Sequence, residues 1–315
     1  MRAGARLAVC AILVARWFVH AQSPSGQSVF RSGVQVVSID ASVRRRNTLA
    51  VLAQGDFELL DNGVKQEIEA RSIAEVPVDV SMVLDEGSIS KLIYAKTFKS
   101  DLLQIAATLR SIDRIRVITF ATTVRELVAM QPARQLAVDK LTEIDESLPP
   151  GIENRWDLTQ DPNLLGRSEL DALFLALAWP VDLGRRHLVM DFSEGVDSSI
   201  LDRQSIVAIA ARSDALLHIA LAPEVIGRSS LGSLNVSDLR LRGMLASAAA
   251  ATGGGVHELV DRLKAFTTTF EELKQSYVLR YTLTGVPPEG WHEVVVKVPK
   301  CPDCVVRARK GYFGR

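Results

Sequence analysis

Val78-Asp79-Val80-Ser81-Met82-Val83-Leu84-Asp85 is a mostly apolar run that ends on a carboxylate. The run marks a change of texture in the chain. After it, Leu92, Ile93, Phe98, Leu102, Ile105 and Leu109 recur at near-helical spacing, and Arg116-Val117-Ile118-Thr119-Phe120 reads as a second strand. The alternation continues. Residues 136–148 read as a helix stopped by Pro149-Pro150-Gly151, and Ser168 to Leu177 as another. His187 to Phe192 is a strand with Asp191 as an unexpected charge inside it. Ser205 to Ala211 is helical, Leu216 to Leu221 a strand, and Leu239 to Ala251 a helix stopped by Gly253-Gly254-Gly255. A last helix covers Val260 to Leu273. Strands alternating with helices imply βαβ units, so the fold class is α/β with a mostly parallel, doubly wound sheet and helices on both faces.

The flanks are different. Val37, Ile39, Ala41 and Val43 alternate with polar residues, as in a half-buried strand. Asp61-Asn62-Gly63 follows Phe57-Glu58-Leu59-Leu60, and Asn-Gly between strand-like runs is a hairpin signal because both turn residues tolerate positive φ. At the other end, Tyr277 to Leu283, His292 to Val298 and Cys304 to Ala308 are strand-like. Neither terminal β segment is large enough to hold a core alone. The expected organisation is a signal peptide over 1–21, a flexible linker over 22–28, and an N-terminal β segment over 29–75. An α/β domain over 76–273 and a C-terminal β segment over 274–315 follow. The two β segments are expected to pair into a β-sandwich around the inserted α/β domain.

Composition narrows the function. Lys and Arg number 37 and Asp and Glu 37, with no basic stripe, which argues against a nucleic-acid partner. Arg2 and Arg6 ahead of the apolar run Leu7 to Ala15, with Val19-His20-Ala21 after it, read as a secretory signal cleaved after Ala21. No later stretch is apolar for long enough to span a membrane, so the mature chain carries no transmembrane segment and is expected in the periplasm, at the cell surface or outside. Outside the signal, the cysteines are Cys301 and Cys304 in Cys-Pro-Asp-Cys, which reads first as a disulfide in an exported chain. The sequence carries no phosphate-binding glycine loop after the first strand and no Gly-x-Ser-x-Gly elbow, so no catalytic residue is assigned and the chain is not expected to be an enzyme.

Val83-Leu84-Asp85, Asp113-Arg114 ahead of Phe120, and the strand leading to Ser193-Glu194-Gly195 together resemble a von Willebrand factor A-type domain. Asp56 to Gly63, Thr252-Gly253-Gly254, Tyr277 to Tyr281 and Arg307 to Phe313 are similar to the VWFA-related domain family of exported bacterial proteins. The resemblance implies a metal-ion-dependent adhesion site at the carboxyl edge of the sheet, holding Mg2+ or Mn2+ and binding an acidic group of a protein partner. The candidate ligands are Asp85, Ser88, Ser90, Ser168 and Glu194. They depart from the family pattern. Gly87 and Ile89 stand where its two serines belong, Ser88 and Ser90 are each one residue displaced, Ser168 replaces a Thr, and Glu194 replaces an Asp. Two readings of Asp85 and Glu194 follow: ligands in a degenerate site, or retained loop carboxylates bonded to backbone N–H groups. The expected function is an extracytoplasmic adhesion or interaction module. The alternatives are a structural or assembly protein of the envelope, and a thiol oxidoreductase using Cys301 and Cys304.

Overall fold

The computed structural model describes residues 36–46, 48–86, 98–136, 138–141, 168–182, 184–195, 199, 202, 204–222 and 236–314. The signal peptide, the linker, Ser88, Ser90, Gly166 and Arg167 lie outside these residues.

Fifteen strands form three sheets among the described residues. They are β1 (Val36–Arg45), β2 (Thr48–Leu49), β3 (Glu58–Asp61), β4 (Val64–Lys65), β5 (Ile68–Ser72), β6 (Val78–Asp85), β7 (Arg114–Phe120) and β8 (Val124–Pro132). Then come β9 (Arg186–Ser193), β10 (Leu216–Leu221), β11 (Gly255–Glu258), β12 (Tyr277–Thr282), β13 (Gly290–Lys297), β14 (Cys304–Ala308) and β15 (Gly311–Gly314). The helices that matter for packing are α1 (Phe98–Thr108), α2 (Glu169–Leu177), α3 (Ser205–Arg212), α4 (Val236–Thr252) and α5 (Arg262–Lys274).

The opening run is β6, buried at every position. It sits inside a six-stranded sheet of order β11-β10-β9-β6-β7-β8, parallel except for the antiparallel edge strand β8. Two faces need two sets of cover. Val80, Met82 and Leu84 pack with Leu102 and Ile105 of α1 and Phe266 and Phe270 of α5. Val83, Ile118 and Val189 pack on the other side with Leu173 of α2, Ile206 of α3 and Leu245 of α4. Each such side chain contributes about 1.5–3 kcal/mol when fully buried, which outweighs the weak strand propensity of any single residue. Helix α5 starts at Asp261, whose carboxylate accepts from the Lys264 N–H at 2.6 Å, satisfying one of the orphan donors of the first turn.

Gly253 and Gly254 have separate reasons to be glycine. Gly253 has φ +88° just after α4, the left-handed conformation that ends helices. A Cβ on Gly254 would lie 1.7 Å from the Leu217 carbonyl oxygen, so the chain there runs hard against β10 before forming β11.

The chain termini interleave. The first of two further sheets has the order β14-β1-β12-β5, with β2 on the flank of β1, and the second has the order β15-β13-β3-β4. Both mix strands from before β6 with strands from after α5. Ile39, Leu59, Leu279, Val294 and Tyr312 share one core between them. The Asn62-Gly63 turn has φ of 46° and 80°, as the hairpin between β3 and β4 requires. β1 is not the half-buried strand its alternation suggests. Asp40 and Ser42, on its polar side, are also buried, because that face meets the α/β part of the chain. Asp40 forms a buried ion pair with Arg186 at the start of β9.

Candidate functional site

In the six-stranded sheet the chain order reverses between β6 and β9. β7 follows β6 on one side, and β9, β10 and β11 build outward on the other. Adjacent parallel strands whose connections run in opposite directions leave a crevice beyond their carboxyl ends, the usual ligand position in open α/β sheets. Asp85 ends β6 at this crevice, and Ser193-Glu194-Gly195 ends β9. The register pairs Val83 with Asp191 and Leu84 with Phe192, so Asp85 and Ser193 stand level while Asp191 lies two residues further in on the same face as Val83.

Asp191 is fully buried. Its carboxyl abuts that of Glu169, which opens α2 and is itself fully buried, and it feels the charge of Asp85. Burial first, and Asp85 after it, hold the Asp191 carboxyl well above the usual carboxylate range, against the opposing effect of its contact with Glu169. Two carboxyls in contact away from water cannot both be charged without a shared proton or a cation. Three elements therefore gather Asp85, Glu169 and Asp191 at the switch point.

The loops around this edge are tied by hydrogen bonds. Ser168 is buried, its Oγ donates to the Thr122 carbonyl at 2.9 Å, and its N–H donates to the Ala121 carbonyl at 2.8 Å. Its hydroxyl proton is thus committed to the β7–β8 turn, and its oxygen lone pairs remain for another donor or a cation. The Ser193 Oγ accepts from the Gly195 N–H at 2.7 Å, and Gly195 has φ +68°. Arg242 of α4 donates to the Glu194 carbonyl at 2.7 Å and to the Ala222 carbonyl at 3.0 Å, pinning the ends of β9 and β10. Glu194 is nearly buried, and Glu86, next to Asp85, lies 3.5 Å from Arg125 of β8.

Of the residues predicted as ligands, Asp85, Ser168 and Glu194 all lie on elements ending at this edge. Asp191 and Glu169 are additions. The signal for Asp191 was present in the sequence, as a charge in an otherwise apolar strand. Glu169 gave none, because an acidic residue in the first turn of a helix is ordinary. The donors gathered here are all oxygen, the chemistry of a hard divalent cation such as Mg2+ or Mn2+. Among the described residues, the one place where three Cys, His, Asp or Glu ligand atoms converge is Cys301, Asp303 and Cys304, far along the chain from this edge. There the two sulfurs are joined in a disulfide. The Cys301–Cys304 turn lies between β13 and β14 and not at a helix N-terminus.

One pairing imitates catalytic chemistry. Ser81 Oγ lies 2.8 Å from His187 Nε2. Both are sealed inside the sheet between β6 and β9, and burial, more than any charge, lowers the His187 pKa to about 4. A substrate has no route to that hydroxyl, so the contact is a core hydrogen bond.

No protein-family model matches the sequence, and no curated protein matches it. Solved structures give partial likenesses. An aerotolerance-related membrane protein from Bacteroides fragilis is 15% identical, with a TM-score of 0.43 over 63% of this chain and 99% of that one. Proximal thread matrix protein 1 from the mussel byssus is 11% identical, with a TM-score of 0.45 over 68% of this chain and 50% of its own. The manganese-loaded TRAP protein of Plasmodium vivax is 13% identical, with a TM-score of 0.42 over 77% of this chain and 97% of that one. The site described above rests on its own geometry. No helix among the described residues is long and apolar enough to cross a membrane.

Proposed function

We propose that the chain is an extracytoplasmic protein-binding module of von Willebrand A type, which meets its partner with the carboxyl edge of the six-stranded sheet. One observation carries this reading: the Asp191 and Glu169 carboxyls meet at the switch point within reach of the Asp85 charge, from three separate elements. Burying like charges together costs stability, so the arrangement is hard to account for as packing alone. Asp85, Ser168 and Glu194 are the residues that would hold a Mg2+ or Mn2+ ion, with Asp191 and Glu169 supplying negative charge further in. Such an ion would supply a positive charge to meet a carboxylate of the partner. The residues of the chain hold the loops in place: Arg242 fixes the Glu194 loop, and the Ser168 hydrogen bonds fix the start of α2.

The reading is of a binding protein; the Ser81–His187 contact, the hydroxyl–imidazole pair found among the described residues, is sealed in the core. The Cys301–Cys304 disulfide suits an oxidising compartment, in keeping with export. Affinity capture from envelope extracts tests the proposal. The mature protein is expected to retain a partner in the presence of Mg2+ and to release it with EDTA. Asp85→Ala is expected to lose it at unchanged thermal stability. Equal recovery by the variant would overturn the edge as the binding face and favour an assembly role through the terminal sheets.

A further inference from the structure

A second cluster of titratable groups lies where the six-stranded sheet meets the terminal strands. His218 of β10 is buried and His257 of the edge strand β11 is half-buried. His218 Nδ1 lies 2.7 Å from His257 Nε2, and the rings stack with centroids 5.1 Å apart and planes inclined by 16°. At that distance one ring's N–H donates to the other's lone pair, so the contact exists only while at least one ring is neutral. The surrounding charges are mostly positive. Arg307 of β14 lies over the start of β11, within 3.3 Å of where a Gly255 Cβ would stand. Arg307 and Arg44 of β1 both pair with Glu272 of α5, at 2.6 and 2.7 Å, so that carboxylate is already shared by two guanidiniums. Asp40 of β1, on the wall of the same small cavity of about 10 Å³, is committed to Arg186.

We infer that the His218–His257 contact is an acid-released latch, which fastens the edge strand β11 to β10 at neutral pH and lets go on acidification. The inference stands on the hydrogen-bonded ring pair and the guanidiniums beside it, and it is independent of the reading of the carboxyl edge. Burial first, then the neighbouring cations, hold both imidazoles below their usual value of 6.5 in the folded chain. The sign follows. A histidine whose folded pKa is depressed contributes stability that is fully present above 6.5 and is lost as pH falls through the folded pKa. When both rings are charged, two N–H groups face each other beside Arg307, and the pair separates.

Amide hydrogen exchange on the whole chain tests this, with protection corrected for the intrinsic pH dependence of exchange. Between about pH 7.5 and about pH 5, protection of Gly255–Glu258 is expected to fall by about ten-fold relative to Val78–Asp85. In His257→Gln, whose amide keeps hydrogen-bonding capacity without a titratable charge, the fall is expected to be several-fold smaller. The same protection at both pH values in the unaltered chain would overturn the inference. So would an equal loss in the variant. Should His257→Gln not fold, imidazole nitrogen shifts of the unaltered protein decide: titration of both rings below 6.5 supports the latch, and titration at or above 6.5 overturns it.

Discussion

Asp61→Ala is expected to cost about 4 kcal/mol of stability, read as a lower urea midpoint at unchanged slope. Asp61 is fully buried at the end of β3. It accepts from the hydroxyls of Tyr281 at 2.6 Å and Tyr312 at 2.8 Å, and lies 2.8 Å from His292 Nδ1. Tyr281 belongs to the β1 sheet, and Tyr312 and His292 to the β3 sheet, so one carboxylate joins both. Alanine removes the acceptor for all three and leaves buried donors without a partner, which costs about 1–3 kcal/mol for each. Asp61→Asn keeps one oxygen acceptor but turns N–H groups toward donors, so a smaller loss of about 2 kcal/mol is expected. Total domain stability is about 5–15 kcal/mol, so the alanine variant sits near the limit of folding. A loss below about 1 kcal/mol would contradict this description of the sandwich core.

The second large effect lies at the seam. Arg186 pairs with Asp40 out of solvent, and its Nη2 also donates to the Asp214 carbonyl at 3.0 Å. Beside it, Arg309 is buried with its donors on the carbonyls of Ala211, Ser213 and Gly311. Asp40→Ala would strand a guanidinium in this setting, at a cost of about 3–5 kcal/mol. An apolar pair of similar volume carries no such charge, so Asp40→Leu combined with Arg186→Met is expected to be more stable than either single variant. Urea denaturation of the four proteins gives the coupling directly. Additive losses in the double variant would show that the pair is not the tie between β1 and β9.

How much of this was legible depends on burial. Strands β10 and β14 coincide with their apolar runs because nothing in those runs competes with period or propensity. The antiparallel edge strand β8 was missed. Its Arg125, Glu126, Gln131 and Pro132 face outward or sit at an edge, and an edge strand needs only part of a hydrophobic face. β11 was missed because it is four residues long and alternates between half-buried and exposed. The polar side of β1 was read as solvated, since the sequence cannot show that Asp40 meets an arginine 146 positions away. At the site, Asp85 and Glu194 could be named because the motifs that hold them resemble those of a von Willebrand A-type domain. Glu169 could not, since what distinguishes it is contact with Asp191 and not its place in the chain.

The most direct test of the carboxyl edge is a Mn2+ titration of the mature protein followed by electron paramagnetic resonance, with Asp85→Ala in parallel. The account predicts one saturable site per chain that the variant loses while its fold is unchanged. No saturable binding to the unaltered protein, or equal binding by the variant, would contradict it.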